Sequence, residues 1–183
     1  MKSVKLTAIA LAAILSTAAL PALAQVMVGG APMYSSKDIV DNAVNSKDHT
    51  TLVAAVKAAG LVPTLKGAGP FTVFAPTNAA FAALPAGTVD TLLKPENKPA
   101  LTKVLTYHVV SGKLETAALI KAVDAGGGKA TLTEVSGGML TVTKSGTMIM
   151  LSDESGGMAH VTIPDVVQSN GVIHVVDKVL LPK

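Results

Sequence analysis

The chain contains no cysteine, which removes thiol nucleophiles, thiolate metal sites and disulfide staples from consideration. It contains no arginine. Arginine's planar fork is the usual reader of phosphates and base edges, so its absence argues against nucleic acid as a partner. Aromatic residues are scarce: Tyr34, Phe71, Phe74, Phe81 and Tyr107 are the whole set, few for a groove that stacks a pigment. Reactive signatures are missing as well. There is no G-x-S-x-G elbow and no H-E-x-x-H pair. "GGGKA" (126–130) lacks the leading glycine and the hydroxyl residue of a phosphate loop, and "GAGP" (67–70) leads into a strand rather than a helix. The acidic residues are scattered. No catalytic residue, no enzyme activity and no cofactor are expected.

One long apolar run exists, and it stands at the start. "MKSVKLTAIALAAILSTAALPALA" has Lys2 and Lys5, a short apolar middle, and Ala22-Leu23-Ala24 before Gln25. That is the layout of a secretory signal peptide over residues 1–24. Its uninterrupted apolar part is shorter than the roughly 20 residues a spanning helix needs. Export to a periplasm, the cell surface or the medium follows, with no lipid-bearing cysteine and no membrane span after cleavage. The formal charge then falls from +3 to near neutrality, because Lys2 and Lys5 leave with the signal.

Residues 25–35 show no periodicity and read as a flexible lead-in; a single domain is expected over 36–183. Ser35 or Ser36 is expected to cap a helix near Lys37–Asn45, and Asp48 a second helix ended by Gly60. "FTVFAP" (71–76) is β-branched and aromatic between prolines, a strand. Thr77 is placed to cap a short helix, Thr88 another, and Pro99 to open a longer one. "YHVV" (107–110) reads as a strand and "LETAALIKAVD" as a helix. From Ala130 onward short strands alternate with "SGG", "KSG", "DESGG" and "PDVVQSNG", the pattern of an antiparallel meander. Helices first and strands later give an α+β fold.

The histidines are the residues to weigh. His49 lies near a helix start and is expected at the surface. His108 and His174 sit among bulky apolar neighbours. A buried imidazole commonly satisfies both ring nitrogens within the framework; the alternative is a cofactor ligand or recognition contact. The framework reading is adopted. His160 differs, because a turn over Asp153–Gly156 would set Met150 opposite it and bring Met148, Met150, Met158 and His160 to one sheet face. Thioether and imidazole together suit Cu(I); methionines that merely fill a core are the plainer alternative.

"FTVFAPTNAAFAALP" (71–85), "YHVV" (107–110) and "NGVIHVVDKVLLP" (170–182) resemble, in order and spacing, the two signature segments and the central Tyr-His motif of fasciclin (FAS1) domains. The resemblance covers about Lys37 to Lys183 and is closest to bacterial secreted single-domain members. Its motif positions include Thr77, Asn78, Tyr107, His108, Asn170, Gly171 and His174. It implies an antiparallel β-wedge of two short sheets with several helices packed on it. It also implies a non-catalytic adhesion or surface-interaction module, its partner an unidentified surface or matrix protein or glycan. In animal members the Tyr-His segment and a Pro-Asp-Ile type segment are implicated in receptor binding, which implies Tyr107-His108 and Pro164-Asp165-Val166 here. A carrier of a small apolar, carotenoid-like ligand and a Cu(I) protein are the alternative functions.

Overall fold

The strands "FTVFAP" and "GVIHVV" carry the densest apolar runs, and both lie in the middle of a sheet. The computed structural model describes residues 25–183; the stretch 1–24, expected to be a signal peptide, lies outside the described residues. The elements begin with a hairpin of β1 (Met27–Val28) and β2 (Ala31–Pro32), followed by helices α1 (Ile39–Ala43), α2 (Thr50–Ala59) and α3 (Val62–Leu65). Strand β3 (Phe71–Pro76), helices α4 (Asn78–Ala82), α5 (Thr88–Leu92) and α6 (Lys98–Tyr107), strand β4 (Val109–Ser111) and helix α7 (Thr116–Ala125) come next. The meander closes the chain: β5 (Lys129–Thr133), β6 (Met139–Ser145), β7 (Met148–Ser152), β8 (Met158–Gln168) and β9 (Gly171–Val176).

Seven strands form hydrogen-bonded neighbours in the order β4-β3-β9-β8-β7-β6-β5. Strand β8 belongs to two sheets. Met158–His160 pair with β7, whereas Val161–Gln168 pair with β9 across register shifts at Val161/Ile163 and Ile163/Val166. Such irregularities bend a strand, and here they turn one sheet into the other, giving the α+β wedge. One pairing departs from the antiparallel expectation: β3 and β9 run parallel, Phe71 opposite Gly171 through Pro76 opposite Val176. A parallel pair needs a long crossover, and the chain from α4 to β8 supplies it.

Both faces of β3 and β9 are covered, which is why their apolar runs are unbroken. Val73, Ala75, Ile173 and Val175 join a core with the helices from α1 to α6. Phe74 and Val176 face the other way, into a core with Tyr107, Leu180, the α7 residues Leu119 and Val123, and the inward residues of β6 and β7. The alternation along the outer strands is the ordinary half-buried kind: Leu140, Val142, Ile149, Leu151 and Ala159 point in.

Several local expectations shift. The lead-in 25–35 forms a hairpin where no element was expected: it turns at Gly29-Gly30, both at positive φ, and Val28 and Met33 enter the helical core. Two buried side chains, with Val26 and Ala31 packed partly against the same core, supply burial that a period-based reading does not register. Asp38, not Ser35 or Ser36, caps α1 by accepting the Asp41 N–H at 2.8 Å. Asp48 lies inside a 3-10 turn, Lys47–His49, ahead of α2. Gly87, not Thr88, stands at the cap position of α5. Thr77 caps α4 as expected, accepting the Ala80 N–H at 3.2 Å, and Gly60 ends α2 in the left-handed conformation. "YHVV" is not one strand. Tyr107 closes α6 and His108 is its C-cap, so β4 starts at Val109. The helix thus takes one residue of the expected strand and its cap a second, leaving only the β-branched pair Val109-Val110 to start β4.

Candidate functional site

The motif residues gather around the ends of β3 and β9, and each is tied into the framework. His174 lies beside Phe74 in the parallel pair, their rings 5.6 Å apart and nearly parallel at 24°. Its Nε2–H donates to the Leu114 carbonyl at 2.7 Å, and its Nδ1 accepts the Asp165 N–H at 3.3 Å. Burial holds its pKa below the ordinary histidine value, against the opposing pull of the Leu114 carbonyl and of Asp165 and Glu115. His108 repeats the arrangement. Its Nδ1–H donates to Val104 O at 2.8 Å and its Nε2 accepts the Leu180 N–H at 3.0 Å. Complete burial pushes its pKa down to about 4. Both rings are neutral at physiological pH, with no nitrogen left for a ligand.

Tyr107 is fully buried, its hydroxyl donating to Met139 O at 2.8 Å and accepting the Glu154 N–H at 3.2 Å. Burial raises its pKa to about 12. Asn170 joins three elements. Its Oδ1 accepts the Ile39 N–H at 3.1 Å, and its Nδ2 donates to Leu65 O at 2.7 Å and Gly67 O at 3.1 Å. Asn78 does the same for α2: its Oδ1 accepts the Thr51 N–H at 3.0 Å and its Nδ2 donates to Lys47 O at 2.8 Å. Gly171 packs directly on β3, where an added Cβ would meet the Phe71 carbonyl oxygen at 2.0 Å.

The three residues of the segment Pro164-Asp165-Val166 have three different settings. Val166 is in the core, 1% exposed. Asp165 adopts φ +54°, and its Oδ1 accepts the Thr116 N–H at 2.6 Å, capping α7 from another strand. Aspartate is among the few side chains that tolerate this backbone region. Pro164 alone of the three is exposed. The register shift between Ile163 and Val166 is the physical reason, since it turns Val166 inward.

His49, expected at the surface, is 3% exposed. Ser46 Oγ contacts its Nδ1 at 2.8 Å, and Nε2 has no partner within hydrogen-bond geometry. Burial lowers its pKa, while the nearby Ala75 carbonyl and Asp48 oppose the shift. It borders an apolar cavity of about 60 Å³ under the hairpin, walled by residues such as Val28, Met33, Val56 and Ile173. A dry cavity that admits benzene measures about 150 Å³. This one does not take a carotenoid-sized molecule without rearrangement.

Sequence reasoning missed three buried polar groups: Asn42 in α1, Gln168 at the end of β8, and Glu134 in the link between β5 and β6. Glu134 Oε2 accepts from Ser136 Oγ at 2.8 Å, and burial raises its pKa to about 7. Asn42 Nδ2 donates to Gln168 Oε1 and to Tyr34 O. Asp153 carried a legible signal, the "DESGG" turn. Its Oδ1 accepts the N–H groups of Ser155 and Gly157, and its Oδ2 that of Leu181 at 3.0 Å.

The outer face of β5–β8 is exposed to solvent. Thr131 and Thr133 of β5 and Met139, Met148 and Met158 of the next strands are exposed on it. Met150 pairs with His160, as the turn predicted, and Gly156 adopts φ +88°.

A family model described as "Fasciclin domain" matches residues 47–182. Protein sll1483 of Synechocystis sp. is 49% identical over 158 residues, covering 85% of this chain and 79% of that protein. Immunogenic protein MPB70 of Mycobacterium bovis is 39% identical over 145 residues, 76% of this chain and 66% of that one. Among solved structures, a FAS1 domain pair from the insect cell adhesion molecule Fasciclin I superposes with a TM-score of 0.71 at 17% identity. It covers 79% of this chain, which spans about half (51%) of the pair.

Proposed function

The chain belongs to the fasciclin family, and on that premise we propose that it is an exported, non-catalytic interaction module that mediates adhesion or binding to a surface or matrix component. The observation that carries this reading is the division of labour in the structure. The motif residues Asn78, Tyr107, His108, Asn170 and His174 spend their polar atoms on internal hydrogen bonds. Recognition is left to the outside. The open meander face offers threonine hydroxyls beside exposed methionines, a mixed surface that binds by apolar contact and hydrogen bonds rather than by charge. Among the described residues no helix is long and apolar enough to cross a membrane, and the basic, then apolar start of the sequence supports export.

Attachment and aggregation of the producing organism test this function. A strain lacking the gene is expected to attach poorly, wild-type protein to restore attachment, and a folded Thr131→Lys/Thr133→Lys variant to fail. Normal attachment in the deletion strain removes the proposal.

A further inference from the structure

We propose that the open face of β7 and β8 holds a Cu(I) site built from His160, Met150 and Met158, with Met148 at its edge. Four observations converge on it. First, Met150 and His160 are directly opposite. His160 turns its own backbone toward the other neighbour: its N–H donates to Asp177 Oδ1 at 2.7 Å, and its carbonyl accepts the Asp177 N–H at 3.2 Å. Met150 and His160 therefore form the close, non-hydrogen-bonded kind of cross-strand pair, with Cβ atoms about 4.5–5.5 Å apart.

Second, Met158 lies two residues before His160 on the same strand and Met148 two before Met150, so all four share one face. Diagonal and i, i+2 neighbours on a sheet are about 7–8 Å apart, a gap that flexible thioether side chains span. Third, His160 Nδ1 contacts Asp177 Oδ2 at 3.0 Å. An ionised carboxylate only accepts, so Nδ1 carries the proton, and in the neutral ring Nε2 keeps its lone pair. A carboxylate behind a histidine in this way is the usual support of a metal-bound imidazole. Fourth, the ligand atoms are reachable: Met148 is 52% exposed, Met158 45%, and the His160 side chain 38%. Methionines that only fill a core are not left at the surface.

Soft thioethers with one imidazole select Cu(I) over the harder divalent ions. The set contains a single histidine and no cysteine, which disfavours zinc. This inference does not depend on the adhesion reading.

The test is an anaerobic competition of the full chain against bicinchoninate, with silver(I) as the redox-inert probe for NMR. One Cu(I) per chain is expected to resist the chelator. Met150→Leu and His160→Gln should each weaken binding at least tenfold; as partly exposed substitutions, both should leave the far-ultraviolet circular dichroism unchanged. Asp177→Asn should weaken it about 10–100-fold while the far-ultraviolet circular dichroism stays unchanged, a loss of copper affinity that a merely structural role would not produce. Silver(I) should shift the methyl signals of Met148, Met150 and Met158 and spare Met27, Met33 and Met139. Loss of all copper to the chelator, equal affinity in the Met150→Leu/His160→Gln double variant, or silver shifts confined to Met27, Met33 or Met139 would each overturn the assignment.

Discussion

His108 is enclosed by α6 and the C-terminal segment, and the cost of charging it there makes the fold sensitive to acid. Its pKa is about 4 in the folded chain against an ordinary value of 6.5. Between these values the unfolded chain binds more protons. The contribution is fully present above pH 6.5 and is lost as pH falls toward 4, roughly 3 kcal/mol in all. His49 and His174 act in the same direction. Glu134 acts in the opposite one. Its pKa is raised from 4.5 to about 7, so the folded chain holds the proton more tightly and stability falls as pH rises through that interval. Urea denaturation between pH 4 and 7 is expected to show stability rising with pH, more steeply in Glu134→Gln. His108→Leu should flatten the rise, and at pH 7 it should cost about 2–4 kcal/mol because Val104 O and the Leu180 N–H lose their partner. An unchanged profile in His108→Leu would show that burial of this ring is not what acid disrupts. Asn170 belongs to the same scale: Asn170→Ala strands a backbone N–H and two carbonyls and is expected to cost about 2–4 kcal/mol, read from the denaturation midpoint.

At the scale of elements, caps and close contacts decide the joints. Helix α7 is capped by Asp165 across the molecule, from a residue at φ +54°. Asp165→Ala loses the cap, worth about 1 kcal/mol, and places alanine where L-residues pay about 1–2 kcal/mol. A total near 2–3 kcal/mol is expected by thermal or urea melting. Asp165→Asn keeps an accepting oxygen and a tolerated backbone, so it should lose less than half as much. The parallel pair of β3 and β9 has no such tolerance. With the Phe71 carbonyl 2.0 Å from a built Cβ, Gly171→Ala must separate the strands. That variant should show lost amide protection along Phe71–Pro76, while the distant β5–β6 pairing keeps its protection longer.

At the scale of the whole molecule, the hairpin Met27–Pro32 closes the helical core from outside. Val28 and Met33 are buried there at 4% and 6% exposure. Met33→Ala is expected to destabilise by about 2–4 kcal/mol and to enlarge the cavity below it. Xenon uptake seen by NMR would report that enlargement, since a dry cavity near 150 Å³ takes such guests.

Most strand and helix types, the α+β order, the Thr77 cap and the Met150–His160 register were written in the chain, because they rest on periods of 2 and 3.6 residues and on turn chemistry a few residues long. So was the reading of His174 as framework, since an unbroken apolar run around an imidazole already implies burial on both faces of its strand. Other outcomes depended on residues far apart in sequence. Asp165 meets Thr116, Asn170 meets Ile39, and Glu134 and His49 are covered by segments that no local pattern connects to them. The register shifts in β8 turned Val166 inward, and the crossover set β3 parallel to β9. Local propensity specifies each piece; only the closing of long loops brings distant polar groups into one dry interior, where desolvation decides which are charged and which remain free to bind.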